Sequence, residues 1–570
     1  MKNKSLIIGF LLLMLSALSF SQTSWYVSQQ TGSDSNNGLN PDLPFKTIET
    51  AVNYLSPGDT LFIIGEYTNQ NYDPDYTFEG DINDPHIWLL ENAIKITELH
   101  GNANGYITIK AFDENTVIKG DGSNIIRITL SSYLRIENLE VFGEVDNIPL
   151  STALALQFLY KDPATDEVLY RVPPGTSDEE VANMTFPVLE DVHRPSYTDT
   201  RGIYFTGVHH IDIINNTIHH MPGGGLRVAK GEYINIIGNE IHDCSRRSYS
   251  GTHALVVTKS ESSDSSDEYK INIQQNEVHH NYNEIYSWAP GKSFITPRID
   301  EGKGISLQRN NSTGWTHGRI LVANNICYWN GYSGVHTNAG KRIDFINNTC
   351  YMNSYTSTIT YANEEQGGHN IGISSQSSDD IKIINNIIFI DNEWGGYAIS
   401  AGNSDNLQVM DNIIYGINGS INQDNDVASI QVNTMITDPL FNKPNDFDFH
   451  LSENSPAIGV ANTNYTPSHD FYGNIRDDNP DLGAIEYLGT AVVSEFNHAV
   501  FNVYPNPFRN RINIQGNKNI RNLKIFSMSG QQIEYQVNDH HSNISIDVSD
   551  LAKGGYILKI NDEIKQIIKE

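Results

Sequence analysis

His253, Asp300, Glu301 and Lys303 bring together the side-chain types that move protons, and Arg227, Arg246, Arg247 and His336 lie near them in the repeat described below. An arginine fork bonds two oxygens at once, so these arginines suit a carboxylate or a sulfate. Trp315, with Trp329 and Tyr332, offers flat faces to sugar rings. Two reactions fit such a set. In glycoside hydrolysis two carboxyl groups flank the scissile bond, and Asp300 and Glu301 are the acid/base candidates. Neighbours on a strand face apart, so both reach one groove only at a turn; otherwise Glu240 or Glu393 supplies the second carboxylate. In β-elimination, Lys303 or His253 removes the C5 proton of a uronic acid while arginine or calcium neutralises its carboxylate. Any one of these residues alone reads as ordinary surface polarity, and only the combination reads as a site.

What would bring them together is a repeat. Between Ile211 and Ile414 one phrase recurs seven times: apolar, any, apolar, any, polar or small, Asn, any, apolar. Its asparagines are Asn216, Asn239, Asn276, Asn325, Asn348, Asn386 and Asn412, spaced 23, 37, 49, 23, 38 and 26 residues apart. A looser copy runs from Leu134 to Val141. A constant minimum with variable excess describes a solenoid coil carrying loops of different length. Alternating apolar positions make its walls strands. The expected fold is all-β, a right-handed parallel β-helix. Ile211, Ile234, Ile271, Ile320, Ile343, Ile381 and Leu407 form one inward stack, and the asparagines stack at a corner, where Asn also tolerates left-handed backbone. A second strand follows each corner. Aligning Leu226, Leu255, Ile305, Val335 and Ile371 places Arg227, Val256, Ser306, His336 and Gly372 in one outward column. Gly224, His253, Lys303, Ser333 and His369 fall in another. With coils about 4.8 Å apart, His253 and Lys303 become neighbours.

Bulk properties narrow the partners. A net charge of -31 excludes a nucleic-acid footprint. Residues 221–320 nevertheless hold 11 basic and 11 acidic residues, a neutral stretch suited to an anionic ligand unless the balance is chance. The acidic loop 261–268 reads as solvated, with calcium the alternative. No Cys/His spacing matches a zinc site, and no metal ligands are assigned. Cys327 and Cys350 share one inward position on adjacent coils, within bridging reach, but read as buried free thiols. Lys2, Lys4 and the apolar run Leu6 to Leu18 form a signal peptide over residues 1–21. No other run is long enough to span a bilayer, so membrane insertion is not expected. A monomer is expected.

The ends carry resemblances. Trp25 to Val27 reads as a strand, Pro44 as the start of a helix bearing Phe45, Ile48, Val52 and Leu55, and Thr60 to Ile64 as a further strand. The loop Gly32-Ser-Asp-Ser-Asn-Asn-Gly38, the entry Pro44-Phe-Lys-Thr-Ile48 and Pro57-Gly-Asp-Thr60 resemble the opening of secreted right-handed β-helix carbohydrate-active enzymes. The stretch from Asp438-Pro-Leu-Phe441 to Asp481-Leu-Gly-Ala-Ile-Glu-Tyr487 resembles their close. The tandem acidic calcium motifs of pectate lyases are missing, as are the signature phrases of alginate and chondroitin lyases and of polygalacturonases. The tail, from Val503-Tyr-Pro-Asn-Pro-Phe508 onward, resembles the C-terminal sorting domain of Bacteroidetes type IX secretion, which implies that machinery as a partner. The expected organisation is a catalytic β-helix over 22–487 with an insertion at about 142–200, a linker over 488–497 and a small sorting β-sandwich over 498–570. The expected function is that of an exported, endo-acting glycoside hydrolase on an anionic polysaccharide, sulfated glycans among the candidates, with a uronic-acid polymer as the substrate of the lyase alternative. A polysaccharide lyase is the first alternative and a non-catalytic glycan-binding solenoid the second.

Overall fold

The structure is a computed structural model that describes residues 22–188, 191–290, 299, 301–353, 370–391, 396–417 and 424–489, with parts of 501–569. The signal segment, Asp300, His369 and Glu393 lie outside the described residues. Two compact units divide between Tyr487 and Leu488.

The first unit is a right-handed parallel β-helix with three strand faces. One face stacks Leu134, Ile211, Ile234, Ile271, Ile320, Ile343, Ile381 and Leu407 in register, as the sequence pattern requires. A second stacks Ile203, Leu226, Leu255, Ile305, Val335 and Ile373. The third consists of short strands such as Thr217–His219, Glu240–His242 and Glu277–His279. Inward side chains from all three faces form one continuous apolar core.

The corner asparagines make a buried ladder. From Asn216 to Asn386, each backbone N–H and side-chain amide donates to the Oδ1 of the next ladder asparagine at 2.8–3.1 Å. Each amide also donates to a strand carbonyl of the preceding coil, as Asn276 does to Ile236 at 2.9 Å. The left-handed backbone, however, belongs to the residue before each ladder asparagine: Asn215, Gly238, Gln275, Asn324, Asn347, Asn385 and Asp411. The ladder asparagine is selected for its amide, not for its backbone freedom. A second ladder, Asn281–Asn330–Asn353, runs at the next corner and receives the Cys244 N–H at its end.

At the opening, a strand Ser24–Val27 pairs with Thr60–Ile63. The helix is shorter than its sequence pattern suggested, Ile48–Val52. Thr47 caps it, and Phe45 instead bridges to Val27 as extended chain. Cys327 and Cys350 pair in register as free, buried thiols. The stretch 142–200 folds into a helix Leu150–Leu156, a hairpin of Leu159–Lys161 with Val168–Tyr170, and a helix Asp178–Ala182. Val172, Val181, Phe158 and Phe186 pack it onto Tyr286 and Trp288.

The second unit has a three-stranded and a four-stranded antiparallel sheet around Ile512, Ile514, Ile525, Leu558 and Ile567, a small β-sandwich.

Replacing Asn276 by Ala strands several buried donors and acceptors at once. At about 1–3 kcal/mol per orphaned group, Asn276→Ala is expected to lower unfolding stability by at least about 3 kcal/mol. Asn104→Ala, at an exposed position, is expected to stay within about 0.5 kcal/mol. Denaturant titration of both variants checks this.

Candidate active site

The parallel register brings the sequence-selected residues onto one wall. Arg227, Val256, Ser306 and His336 occupy the aligned outward column. Beyond them the alignment shifts by two: His336 pairs with Ser374, not Gly372, so the column continues through Ser374 and Ser400. Toward the N-terminus it runs through Tyr204 and Arg127.

His253 and Lys303 are neighbours across adjacent coils, the Lys303 backbone N–H lying 3.4 Å from His253 Nδ1. Lys303 Nζ is 2.6 Å from Glu301 Oε2 and sits over the Tyr332 ring. That same carboxylate oxygen lies 3.5 Å from His253 Nε2, and the Gln308 amide lies 2.7 Å from the same ring nitrogen. His253 and His336 are both almost fully buried. Burial first, then Lys303 and Arg227, holds His253 well below the ordinary imidazole range, so the ring is neutral at neutral pH. Burial, then Lys303 and His253, does the same to His336, whose Nδ1 has no hydrogen-bond partner.

His253 also lines a pocket of about 150 Å³ with Arg201, Arg227, Arg309, Ser250, Gly251, Thr252 and Gln308. The pocket is cationic. Arg201 is paired with Asp199 at 2.7 Å, and Asp199 further accepts from Ser248 and Ser250. Arg227 is half-buried, its guanidinium lies over the Tyr204 ring, and its Nε is buried without a hydrogen-bond partner. Burial, followed by Arg201, pushes its pKa down, with Arg309 adding to the repulsion. A guanidinium has the geometry to bond two oxygens at once.

Three substrate-binding expectations are corrected. Trp315 is 2% exposed, donates its indole N–H to the Lys341 carbonyl and lies under Arg342; it is core and offers no face to a sugar. Arg246 is committed to Asp146 and Glu284. Arg247 is buried, donates to the Ile148 carbonyl and pairs with Glu284. Both arginines fasten the insertion to the loop that leads to His253, and neither lines the pocket. Glu240, considered as a second carboxylate, lies on the third strand face against His279. The acidic loop is not simply solvated: Asp264 bonds Tyr233 and the buried Lys270, which keeps its carboxyl well below the usual range.

Arg201, Arg309, Asp199 and Gln308 escaped sequence reasoning. Extending the strand alignment one coil N-terminal would have found Arg201, since Ile203 pairs with Leu226. A calcium cage wants six to eight oxygens. Here Asp199 and Glu301, the carboxylates placed at this site among the described residues, are already taken by Arg201 and Lys303.

If Arg247 is a fastener, Arg247→Ala leaves Glu284 poorly compensated. The expected result is a loss of about 2–4 kcal/mol in unfolding stability, with KM for substrate nearly unchanged. Denaturation and steady-state kinetics on the same preparation check both halves.

No curated protein matches this chain in sequence. Among solved structures it is similar to pectate lyase Pel9A, with TM-score 0.40 and 16% identity over 82% of this chain and 98% of that one. It is also similar to a rhamnogalacturonan lyase, with TM-score 0.34 and 13% identity over 82% and 96%. A third is the mannuronan C-5 epimerase A-module of Azotobacter vinelandii, with TM-score 0.35 and 14% identity over 66% and 87%. Among the described residues no helix is long and apolar enough to cross a membrane. Residues 502–570 match the secretion system C-terminal sorting domain, so this β-helix protein carries a tail that directs it to secretion or the cell surface.

Proposed function

We propose that the chain is an exported enzyme that cleaves an anionic polysaccharide by β-elimination at a uronate unit. The observation that carries this reading is the half-buried Arg227 guanidinium, which has an unpartnered Nε and lines one pocket with His253, Arg201 and Arg309. Elimination requires that a carboxylate be neutralised, which acidifies the adjacent C5–H. Arg227, flanked by Arg201 and Arg309, is suited to accept both carboxylate oxygens and to stabilise the charge that spreads onto them. For the neutral His253 ring to take the C5 proton, the Gln308 amide 2.7 Å from its Nε2 gives way to the substrate, and Glu301, 3.5 Å away, stabilises the imidazolium that forms. The electron pair of the C5–H bond becomes the C4–C5 double bond as the C4–O bond breaks. Lys303 supplies a proton to the departing oxygen.

The arrangement supports elimination better than the hydrolysis first expected. Hydrolysis needs a second carboxyl group across the bond from the first. The Glu301 oxygen is held by Lys303, which keeps it in an ion pair and opposes its service as a general acid.

Incubation of the secreted protein with uronate polymers and with neutral or sulfated glycans tests the reading. New reducing ends accompanied by ultraviolet absorbance of the unsaturated product are expected on a uronate polymer. Reducing ends without that absorbance would establish hydrolysis, and binding without cleavage would remove the enzyme reading. Arg227→Ala is expected to lower kcat/KM by about 100-fold or more, and His253→Gln to lower kcat by about 100-fold or more.

The pH profile adds a check. A base works above its pKa and fails as pH falls through it. With His253 held well below its ordinary value of 6.5, the acid limb of kcat/KM is expected well below that pH. A limb at or above it would exclude His253 as the base.

A further inference from the structure

On the third strand face, away from the residues lining the pocket, the coils stack histidines. His219, His242 and His279 pair in register, and their rings stack at 4.8 and 4.9 Å. Each is followed by a residue in left-handed conformation, His220, Asp243 or His280. That turn folds the second side chain back onto the first. His219 Nδ1 and His220 Nδ1 are thereby 2.8 Å apart, and His279 and His280 repeat the arrangement at 2.8 Å. His242 Nδ1 faces Asp243 Oδ2 at 2.8 Å.

The outer nitrogens have carboxylate partners. Glu140 lies 3.2 Å from His219 Nε2, Asp146 lies 3.4 Å from His220 Nε2, and Glu240 lies 3.4 Å from His279 Nε2. A neutral imidazole that gives its Nε2–H to a carboxylate presents a bare lone pair at Nδ1, the arrangement that orients histidine ligands around metals. At 2.8 Å the two Nδ1 atoms are reconciled either by a proton, one ring taking the Nδ1–H tautomer, or by a cation bound beside both. One nitrogen from each of His219, His220 and His242 falls within 4.8 Å of the others, and all three rings are partly exposed to entering ions.

We propose that His219, His220 and His242 form a binding site for a zinc-type divalent transition metal, a structural clamp across two adjacent coils. Three imidazoles supply three corners of a tetrahedral site, with bonds of about 2.0–2.1 Å that small ring rotations bring within reach. Nitrogen donors favour zinc over calcium or magnesium, which take oxygen ligands. The clamp sits at the start of the loop after Asp243, which anchors to Met221 and Gly223 and then carries Ser250, Gly251 and Thr252 to the pocket. Its role is to hold that loop, and it is independent of the reaction proposed above.

The test uses the secreted chain stripped with chelator and titrated with Zn2+ by calorimetry, followed by elemental analysis and thermal melting. About one equivalent bound and a higher melting temperature are expected, together with visible d–d bands when Co2+ replaces Zn2+. His219→Gln combined with His242→Gln is expected to abolish binding. His317→Gln, at an exposed histidine elsewhere, is expected to leave it intact. No uptake by the wild-type chain would mean that a shared proton holds the pair, and the proposal falls. It falls equally if the double variant binds as before, or if Co2+ bound to the wild-type chain gives no imidazole-type spectrum. The spectrum decides the matter even if the double variant does not fold.

Discussion

Every feature of this wall depends on the coils stacking in one register, and the buried amide ladder is what enforces it. From Asn239 onward, each ladder asparagine accepts a backbone N–H and a side-chain N–H from the preceding coil and donates to a carbonyl of that coil, as Asn276 does with Asn239 and Ile236. Sliding a coil by one residue would strand those groups in an apolar core. It would also turn every inward isoleucine outward, because side chains alternate along a strand. Arg227 and His336 share a column only because Leu226 and Val335, one residue earlier, are locked inward. The ladder therefore fixes distances between residues more than a hundred positions apart, a precision that loops alone would not provide.

That dependence explains what the sequence disclosed. The repeat phrase and its alternation were enough to place Arg227, Val256, Ser306 and His336 in line, because apolar positions and corner glycines mark each coil. The alignment failed one coil later, where Ile371 and Ile373 offer two equivalent apolar anchors and the pattern cannot choose between them. Residues outside the repeat were harder to read. Arg246 and Arg247 looked available because their partners Asp146, Ile148 and Glu284 lie far off in sequence. Trp315, in a polar loop, gave no sign that Lys341 and Arg342 enclose it. The histidine cluster was invisible for a related reason. Adjacent histidines carry no metal-type spacing, and only the left-handed residue after each strand turns the pairs face to face.

The pocket poses an electrostatic question on a chain of net charge -31. A polyanionic substrate meets overall repulsion, yet at physiological ionic strength that field decays over about 8 Å. Local charge then decides recognition. Asp199 pairs with Arg201 and also acts on Arg227, whose half-burial reduces the water that would otherwise screen it. A half-desolvated guanidinium has already lost part of its hydration in folding, so pairing with a carboxylate recovers more than it would at an open surface. Burial first, and then Lys303 and Arg227, which oppose a further positive charge beside them, keep His253 neutral. In the proposed elimination, one cluster of cations would serve both to attract the anionic group and to preserve a proton acceptor.

The excursion that joins two of the strand faces links the two clusters physically. It leaves the third face at Asp243 and rejoins the site wall at Leu255. Between these points Ser245 is hydrogen-bonded to Met221 and Gly223, Arg247 to Ile148, and Ser248 and Ser250 to Asp199. His253 is therefore positioned from both ends, by the strand that follows it and by a chain of fixed points that begins at the stacked histidines. Movement at the histidine end would be passed to Ser250 and Gly251 because few free torsions remain between them. The proposed elimination, in which Glu301 at 3.5 Å stabilises a protonated His253, gains from that restraint, since misplacing a catalytic group by about 1 Å costs rate steeply.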